Sequence, residues 1–201
     1  MIFLDLDGVL ADFVSAARDV HRYHDPANVP ADYVAAKWDF FTDWGITGKT
    51  FWSHIHAKGL DFYGSWVQPY SWALTILREV DRGHDDFAVL TAPSSSHWSY
   101  AGKKLWVDTY LRPACRRPIK LIVANMPHGE DTKHLLAGPD RLLIDDNDEN
   151  VGEFRRAGGH AVVFPQLWNS RADLVPTFSA ENWIRDLLKN WEDRNMPFLP
   201  C

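Results

Sequence analysis

Cysteine is nearly absent from this chain of 201 residues: only Cys115 and Cys201 occur, and neither stands at a metal-ligand spacing. That excludes a disulfide scaffold and a cysteine metal site, and it fits a reducing cytoplasm. No apolar run approaches about 18 residues, so no membrane-spanning helix is expected. The chain opens directly on an apolar strand, which leaves no room for a charged n-region and an apolar h-region before it. A soluble cytoplasmic protein without a membrane partner is the expectation. The net charge is −6, with no basic block or stripe, so a polymeric nucleic acid would be repelled. A small anion held by a metal is easy to accommodate. Internal repeats and low-complexity segments are also missing.

What is present is apolar and aromatic. Hydrophobic residues make up 46 % of the chain, enough for a packed core in one domain or in a domain with an insertion. Ten of the residues are tryptophan, several of them between positions 38 and 72.

The most informative stretch is the first, MIFLDLDGVLADF. Ile2, Phe3 and Leu4 read as a buried strand that stops at Asp5, Asp7 and Gly8. Gly8 lets the backbone bend, so carboxylates and carbonyls can converge on one point. Concentrated negative charge with no Cys or His nearby favours Mg²⁺. Read alone, DxDG is also compatible with acids that merely end a strand and open a turn.

Further along, Val14–Tyr23 has helical periodicity, with Phe13, Ala17 and Val20 on one side. Residues 15–75 read as short, aromatic-rich helices broken by Gly and Pro. From there the chain alternates. Helices are expected at Trp72–Val80, His97–Leu111, Asp131–Ala137, Glu149–Ala157 and Ala180–Trp191. Strands are expected at Phe87–Leu90, Ile119–Val123, Arg141–Ile144 and Ala161–Phe164. Continuous apolar strands separated by helices imply a parallel sheet covered on both faces, with ligands beyond the carboxyl ends of the strands. Three strands end in polar residues: Asp5/Asp7, Thr91 and Asp145/Asp146. If the first strand lies between the other two, those groups share one crevice.

DLDGVLADF resembles motif I of the haloacid dehalogenase superfamily, and within it the 5′(3′)-deoxyribonucleotidase branch. The resemblance implies an α/β fold: a haloacid dehalogenase-like, Rossmann-type parallel sheet flanked by helices, with a small, mostly helical C1-type cap after the first strand. The core would be residues 1–14 and 76–201, and the cap residues 15–75. It makes Asp5 the nucleophile and Asp7 the general acid/base, the second Asp being what separates the superfamily's phosphatases from its dehalogenases. FAVLT resembles motif II, with the Thr91 hydroxyl and the Ala92 amide as phosphate donors; many deoxyribonucleotidases carry Thr-Ser where this chain has Thr91-Ala92. Lys133 best fits the phosphate-clamping lysine of motif III, and Lys103, in a K-x-x-W helix, is the alternative. LLIDDNDEN resembles motif IV, so Asp145 would bind Mg²⁺ and Asp146 would ligate directly or through water. The shell would be completed by Asp5 and by Asp7 through its carbonyl. Asp148 and Glu149 read as the cap and first turn of the next helix. GGHAVVFPQLWN and Ser179–Leu188 resemble the family's closing strand, loop and helix.

Most aromatics between residues 38 and 66 read as cap core. Phe13 matches the family position that stacks on the nucleobase, and Trp52 and Phe62 occupy comparable regions. His54 and His56, two apart on a helix, do not share a face, so they are not a metal pair. The resemblance implies a Mg²⁺-dependent 5′-nucleotidase of nucleotide metabolism that hydrolyses (deoxy)ribonucleoside monophosphates through an aspartyl-phosphate, as a monomer or homodimer. The alternatives are a phosphatase for another small phosphomonoester and a non-catalytic nucleotide- or partner-binding protein. A polynucleotide end-healing phosphatase is disfavoured by the acidic balance.

Overall fold

A computed structural model describes residues 1–84, 86–124 and 132–193. Five strands, β1 (Ile2–Leu4), β2 (Phe87–Thr91), β3 (Lys120–Val123), β4 (Leu142–Asp145) and β5 (His160–Val163), form one sheet in the order β3-β2-β1-β4-β5. Every pairing is parallel, with Leu4 opposite Val89 on one side and Ile144 on the other. The strand carrying Asp5 is therefore central. β2 and β4, which end at Thr91 and Asp145, are its two neighbours.

Side chains in β1 alternate between two cores. Ile2 and Leu4 pack with Ile76, Leu77, Trp106 and Ile184, whereas Phe3 packs with Leu143, Val151 and Phe154 on the opposite face. Phe3 is 1 % exposed and meets Phe154 edge-on at 6.1 Å, a burial that contributes about 1.5–3 kcal/mol. The covering helices are α1 (Phe13–His24), α2 (Gly48–Ala57), α3 (Ala73–Gly83), α4 (His97–Trp106), α5 (Asp148–Arg156) and α6 (Ala180–Glu192). Among the described residues no helix is long and apolar enough to cross a membrane.

Between α1 and α3 the backbone is helical or irregular, with a 3₁₀ segment at Phe40–Trp44 and a π turn at Phe62–Trp66 on either side of α2. Its return is pinned to the loop after β1: the Asp12 amide donates to the Gln68 carbonyl, the Tyr70 amide to that of Leu10, and the Trp72 indole to that of Val9. Those bonds hold the aromatic segment beside the ends of the central strands.

Three expected elements differ in detail. The helix expected over His97–Leu111 is α-helical only to Trp106, and Val107–Leu111 is a π turn. Trp106, Val107 and Leu111 are all buried, and the Trp106 indole donates to the Val67 carbonyl at 3.0 Å, so the wider turn keeps all three against the core. α5 is capped by Asn147, whose side chain accepts from the Glu149 and Asn150 amides; Asp148 and Glu149 form only the first turn. The helix expected over Asp131–Ala137 is a 3₁₀ turn, Lys133–Leu136, and Asp131, like Cys201, lies outside the described residues.

α1 and α2 meet through histidines. His21 is 2 % exposed, stacks on Phe51 at 5.0 Å, and donates from Nε2 to the Phe51 carbonyl. Its Nδ1 therefore accepts from His54 Nδ1 at 3.1 Å. Burial first, then His54 and His24, push His21 down from 6.5 to about 4, against the carbonyl bond that favours the charged form. The unfolded chain takes up this proton near pH 6.5 and the folded chain near 4, so stability is complete above 6.5 and falls as pH drops towards 4. Relative to His21→Gln, the wild-type thermal midpoint should therefore decline as pH drops across that window. An unchanged slope in the variant would remove His21 as its source.

Candidate active site

Three adjacent strands deliver polar groups to one end of the sheet. β1 runs on into Asp5, whose amide still donates to the Ile144 carbonyl at 2.9 Å, and the chain then turns sharply. Gly8 makes that turn at φ +79°, a region costly for any side chain. A Cβ there would lie 2.2 Å from Asp146 Oδ2, so the position needs both the backbone freedom and the missing side chain. The Gln166 side-chain amide donates to the Gly8 carbonyl and fixes the turn from β5's side.

Asp5, Asp145 and Asp146 are all buried, and one oxygen of each lies within 4.8 Å of the others. Lys133 Nζ, itself 3 % exposed, sits 3.0 Å from Asp5 Oδ1 and 2.7 Å from Asp145 Oδ2. Burial pushes Asp5 up to about 7, opposed by Lys133 and reinforced by Asp145 and Asp7. Burial, then Asp145 and Asp5, hold Asp146 well above the usual carboxylate range. These shifts register an excess of buried negative charge. The donor set fits a hard divalent cation: all oxygens, no sulfur or imidazole. Asp146 Oδ1 is buried without a hydrogen-bond partner, as an oxygen reserved for a cation would be. Outer contacts orient the ligands. Trp168 Nε1 donates to Asp146 Oδ2 at 2.7 Å, Asn150 Nδ2 reaches both Asp145 oxygens at 3.3 Å, and the Asn147 amide donates to Asp145 Oδ1 at 2.9 Å.

Asp7 stands apart from that cluster, turned to the β2 side. Lys103 Nζ lies 2.7 Å from Asp7 Oδ2, and also donates to Thr91 Oγ1 at 2.8 Å and to the Ala92 carbonyl at 2.7 Å. The Tyr63 hydroxyl donates to Asp7, 2.9 Å from Oδ2 and 3.2 Å from Oδ1. Burial, then Asp7, keep Tyr63 well above its ordinary pKa, so it remains a donor. Because Thr91 Oγ1 accepts from Lys103, its own proton points to other acceptors. Both lysines named from the sequence thus reach the site, on opposite sides: Lys133 with Asp5 and Asp145, Lys103 with Asp7 and Thr91.

These groups form the floor of a cavity of about 500 Å³, in the range that suits a small-molecule ligand. Phe13, Trp52 and Phe62 line it, the Phe13 and Trp52 ring centres 5.8 Å apart and the largely buried Phe62 meeting Phe13 edge-on at 5.5 Å. His56 also lines the cavity, its Nε2 2.9 Å from Ser94 Oγ, whereas His54 turns to His21, so the two do not form a metal pair.

Sequence reasoning assigned no role to Tyr63, Asn150, Gln166, Trp168 or Asn169, the last of which donates to the Asp146 and Phe164 carbonyls. Gln166, Trp168 and Asn169 lie in PQLWN, a loop without periodicity. Three hydrogen-bonding side chains straight after the last strand, in a run that resembles the family's loop, are their signal in the sequence.

The sequence model of the family described as 5′ nucleotidase, deoxy (Pyrimidine), cytosolic type C protein matches residues 1–199. No curated protein matches the chain. Among solved structures the fold is similar to a HAD family hydrolase from Deinococcus radiodurans R1 with bound phosphate and sodium, at TM-score 0.60 and 14 % identity over 95 % of both chains. A haloacid dehalogenase-like hydrolase from Streptococcus pneumoniae aligns at TM-score 0.53 and 16 % identity, over 89 % of this chain and 90 % of that one. L-2-haloacid dehalogenase from Xanthobacter autotrophicus aligns at 0.53 and 14 %, over 92 % and 86 %.

Gly8→Ala should lower stability by about 1–3 kcal/mol through its backbone strain alone, and further through the clash with Asp146. In an Asp146→Ala background the loss should shrink towards the strain component, read as thermal midpoints in a double-mutant cycle. Equal losses in both backgrounds would mean that Asp146 does not set the space at Gly8.

Proposed function

The chain belongs to the cytosolic type C deoxy (pyrimidine) 5′-nucleotidase family, and from that premise we propose that it hydrolyses (deoxy)ribonucleoside monophosphates with Mg²⁺ through an aspartyl-phosphate. The coarser activity, a phosphoric monoester hydrolase of haloacid dehalogenase-like fold, follows from the family and fold. What supports the finer reading is that Asp5 and Asp7 stand together on the floor of one cavity with Thr91, Lys103 and Lys133, under aromatic walls.

Asp5 attacks phosphorus as the bond to the departing oxygen breaks, and Asp7 delivers the proton that oxygen needs. A water then attacks the phosphorus and gives its proton to Asp7 as the bond between phosphorus and the Asp5 oxygen breaks, which releases orthophosphate and restores the Asp5 carboxylate. Lys133, the Thr91 hydroxyl and the Ala92 amide hold the phosphoryl oxygens, with Lys103 bridging Asp7 and Thr91. Asp5, Asp145 and Asp146, with the Asp7 carbonyl, would hold Mg²⁺, which when bound supplies positive charge beside the phosphoryl oxygens. Residues 15–75 act as a cap on a core of residues 1–14 and 76–201, and from one cap boundary to the other they furnish most of the aromatic wall. Phe13 takes the base, with Trp52 beside it and Phe62 behind.

The deciding experiment is phosphate release over a panel of nucleoside monophosphates and sugar phosphates. Nucleoside monophosphates should be preferred, and Asp5→Asn should abolish turnover while the fold survives. Stacking on an aromatic is worth about 1–3 kcal/mol, so Phe13→Ala should cost nucleoside monophosphates roughly tenfold or more in kcat/KM and spare small alkyl phosphates. Equal hydrolysis of sugar phosphates, or an equal loss on every substrate in Phe13→Ala, leaves only the general phosphatase.

A further inference from the structure

We infer that Tyr63 is a positioning residue for proton delivery: its hydroxyl, carried by the aromatic segment between α1 and α3, holds the Asp7 carboxylate aimed at the leaving oxygen. The inference rests on the reading of Asp7 as general acid.

Asp7 has two holders on different parts of the chain. Lys103 belongs to α4, beside β2, and spends its three N–H donors on Asp7, Thr91 and the Ala92 carbonyl. Tyr63 belongs to the π turn Phe62–Trp66 and spends its only proton on Asp7. A phosphoryl group arriving at Thr91 and Ala92 draws on the same ammonium that holds Asp7. Once it does, the tyrosine is the holder whose bond to Asp7 is not shared with the phosphate site.

The ring is built into its place. Tyr63 is 4 % exposed, lies perpendicular to Phe62 at 5.2 Å, and has the Lys103 ammonium 5.7 Å from its centre. It packs on α4 at Gly102, where a Cβ would come within 3.0 Å of the ring. The residue that makes room for Tyr63 therefore adjoins the lysine that shares its carboxylate. A tyrosine serving only as filler needs no carboxylate at its hydroxyl, whereas here both Asp7 oxygens lie within 3.2 Å of it. Orientation matters for this step, because the proton must reach the departing oxygen as its bond to phosphorus breaks.

The chemistry separates positioning from packing. A nucleoside or alkyl leaving group needs the proton, whereas p-nitrophenolate leaves as a stable anion. The quantity to read is kcat/KM, which ends with departure of the leaving group and excludes the later hydrolysis of the aspartyl-phosphate. Tyr63→Phe should lower kcat/KM for nucleoside and alkyl monophosphates by roughly tenfold or more and change p-nitrophenyl phosphate by about twofold or less, with an unchanged thermal midpoint. Asp7→Asn is the reference and should show the same selectivity, larger. If Asp7→Asn is selective and Tyr63→Phe is not, or loses all substrates equally, the positioning role is overturned and the acid assignment stands. Absence of selectivity in Asp7→Asn overturns both.

Discussion

The site is governed by an electrostatic imbalance. Four carboxylates, Asp5, Asp7, Asp145 and Asp146, face two ammoniums, Lys103 and Lys133, which leaves two formal negative charges at the ends of three central strands. Two of the acids respond by holding their protons far above the usual carboxylate range. A buried unpaired charge is among the costliest things a fold can contain, and a phosphate dianion would add to it. The rest of the local structure serves this constraint. Gly8 bends the chain without a side chain so that Asp146 can approach, Trp168 and Asn169 anchor Asp146, and Asn150 steadies Asp145.

The lysines divide the site into two halves with different work. On the β4 side Lys133 and three carboxylates form a compact cluster with an orphaned oxygen, suited to a cation. On the β2 side Lys103 ties Asp7 to Thr91 at the end of the neighbouring strand. The aromatic segment reaches the second half through Tyr63. Its placement there follows from the backbone bonds that pin Gln68 and Tyr70 to the loop after β1. Cavity walls and one of the two side chains that hold Asp7 are thus carried by one piece of chain.

The strands were legible in the sequence because each is a short, continuous apolar run, and the acids after Leu4 and Ile144 marked where they end. Strand order was not in the apolar pattern, since any order of buried parallel strands reads alike; the motif resemblance supplied it, and the sheet agrees. The helix over His97–Leu111 hid its π turn because the 3.6-residue period persists on both sides of Val107. Asn147 does not stand out in the sequence as a cap because it sits among acids that also cap helices. Tyr63 was invisible for a different reason: after a buried phenylalanine, in a stretch full of rings, nothing local distinguishes a hydroxyl that meets a carboxylate from one that meets water. Contacts between residues 56 positions apart are a property of the fold.

That a divalent cation balances the strand-end carboxylates is open to direct measurement. Titration calorimetry of Mg²⁺ into the metal-free protein, together with its thermal midpoint across the same concentrations, tests it without reference to turnover. One saturable site and a midpoint that climbs with Mg²⁺ are expected, since an ion that binds only the folded chain stabilises it by about 2.7 kcal/mol at a hundred times its Kd. Asp145→Asn should weaken both effects. A midpoint indifferent to Mg²⁺, with no saturable heat, would mean that these carboxylates are not balanced by a divalent cation.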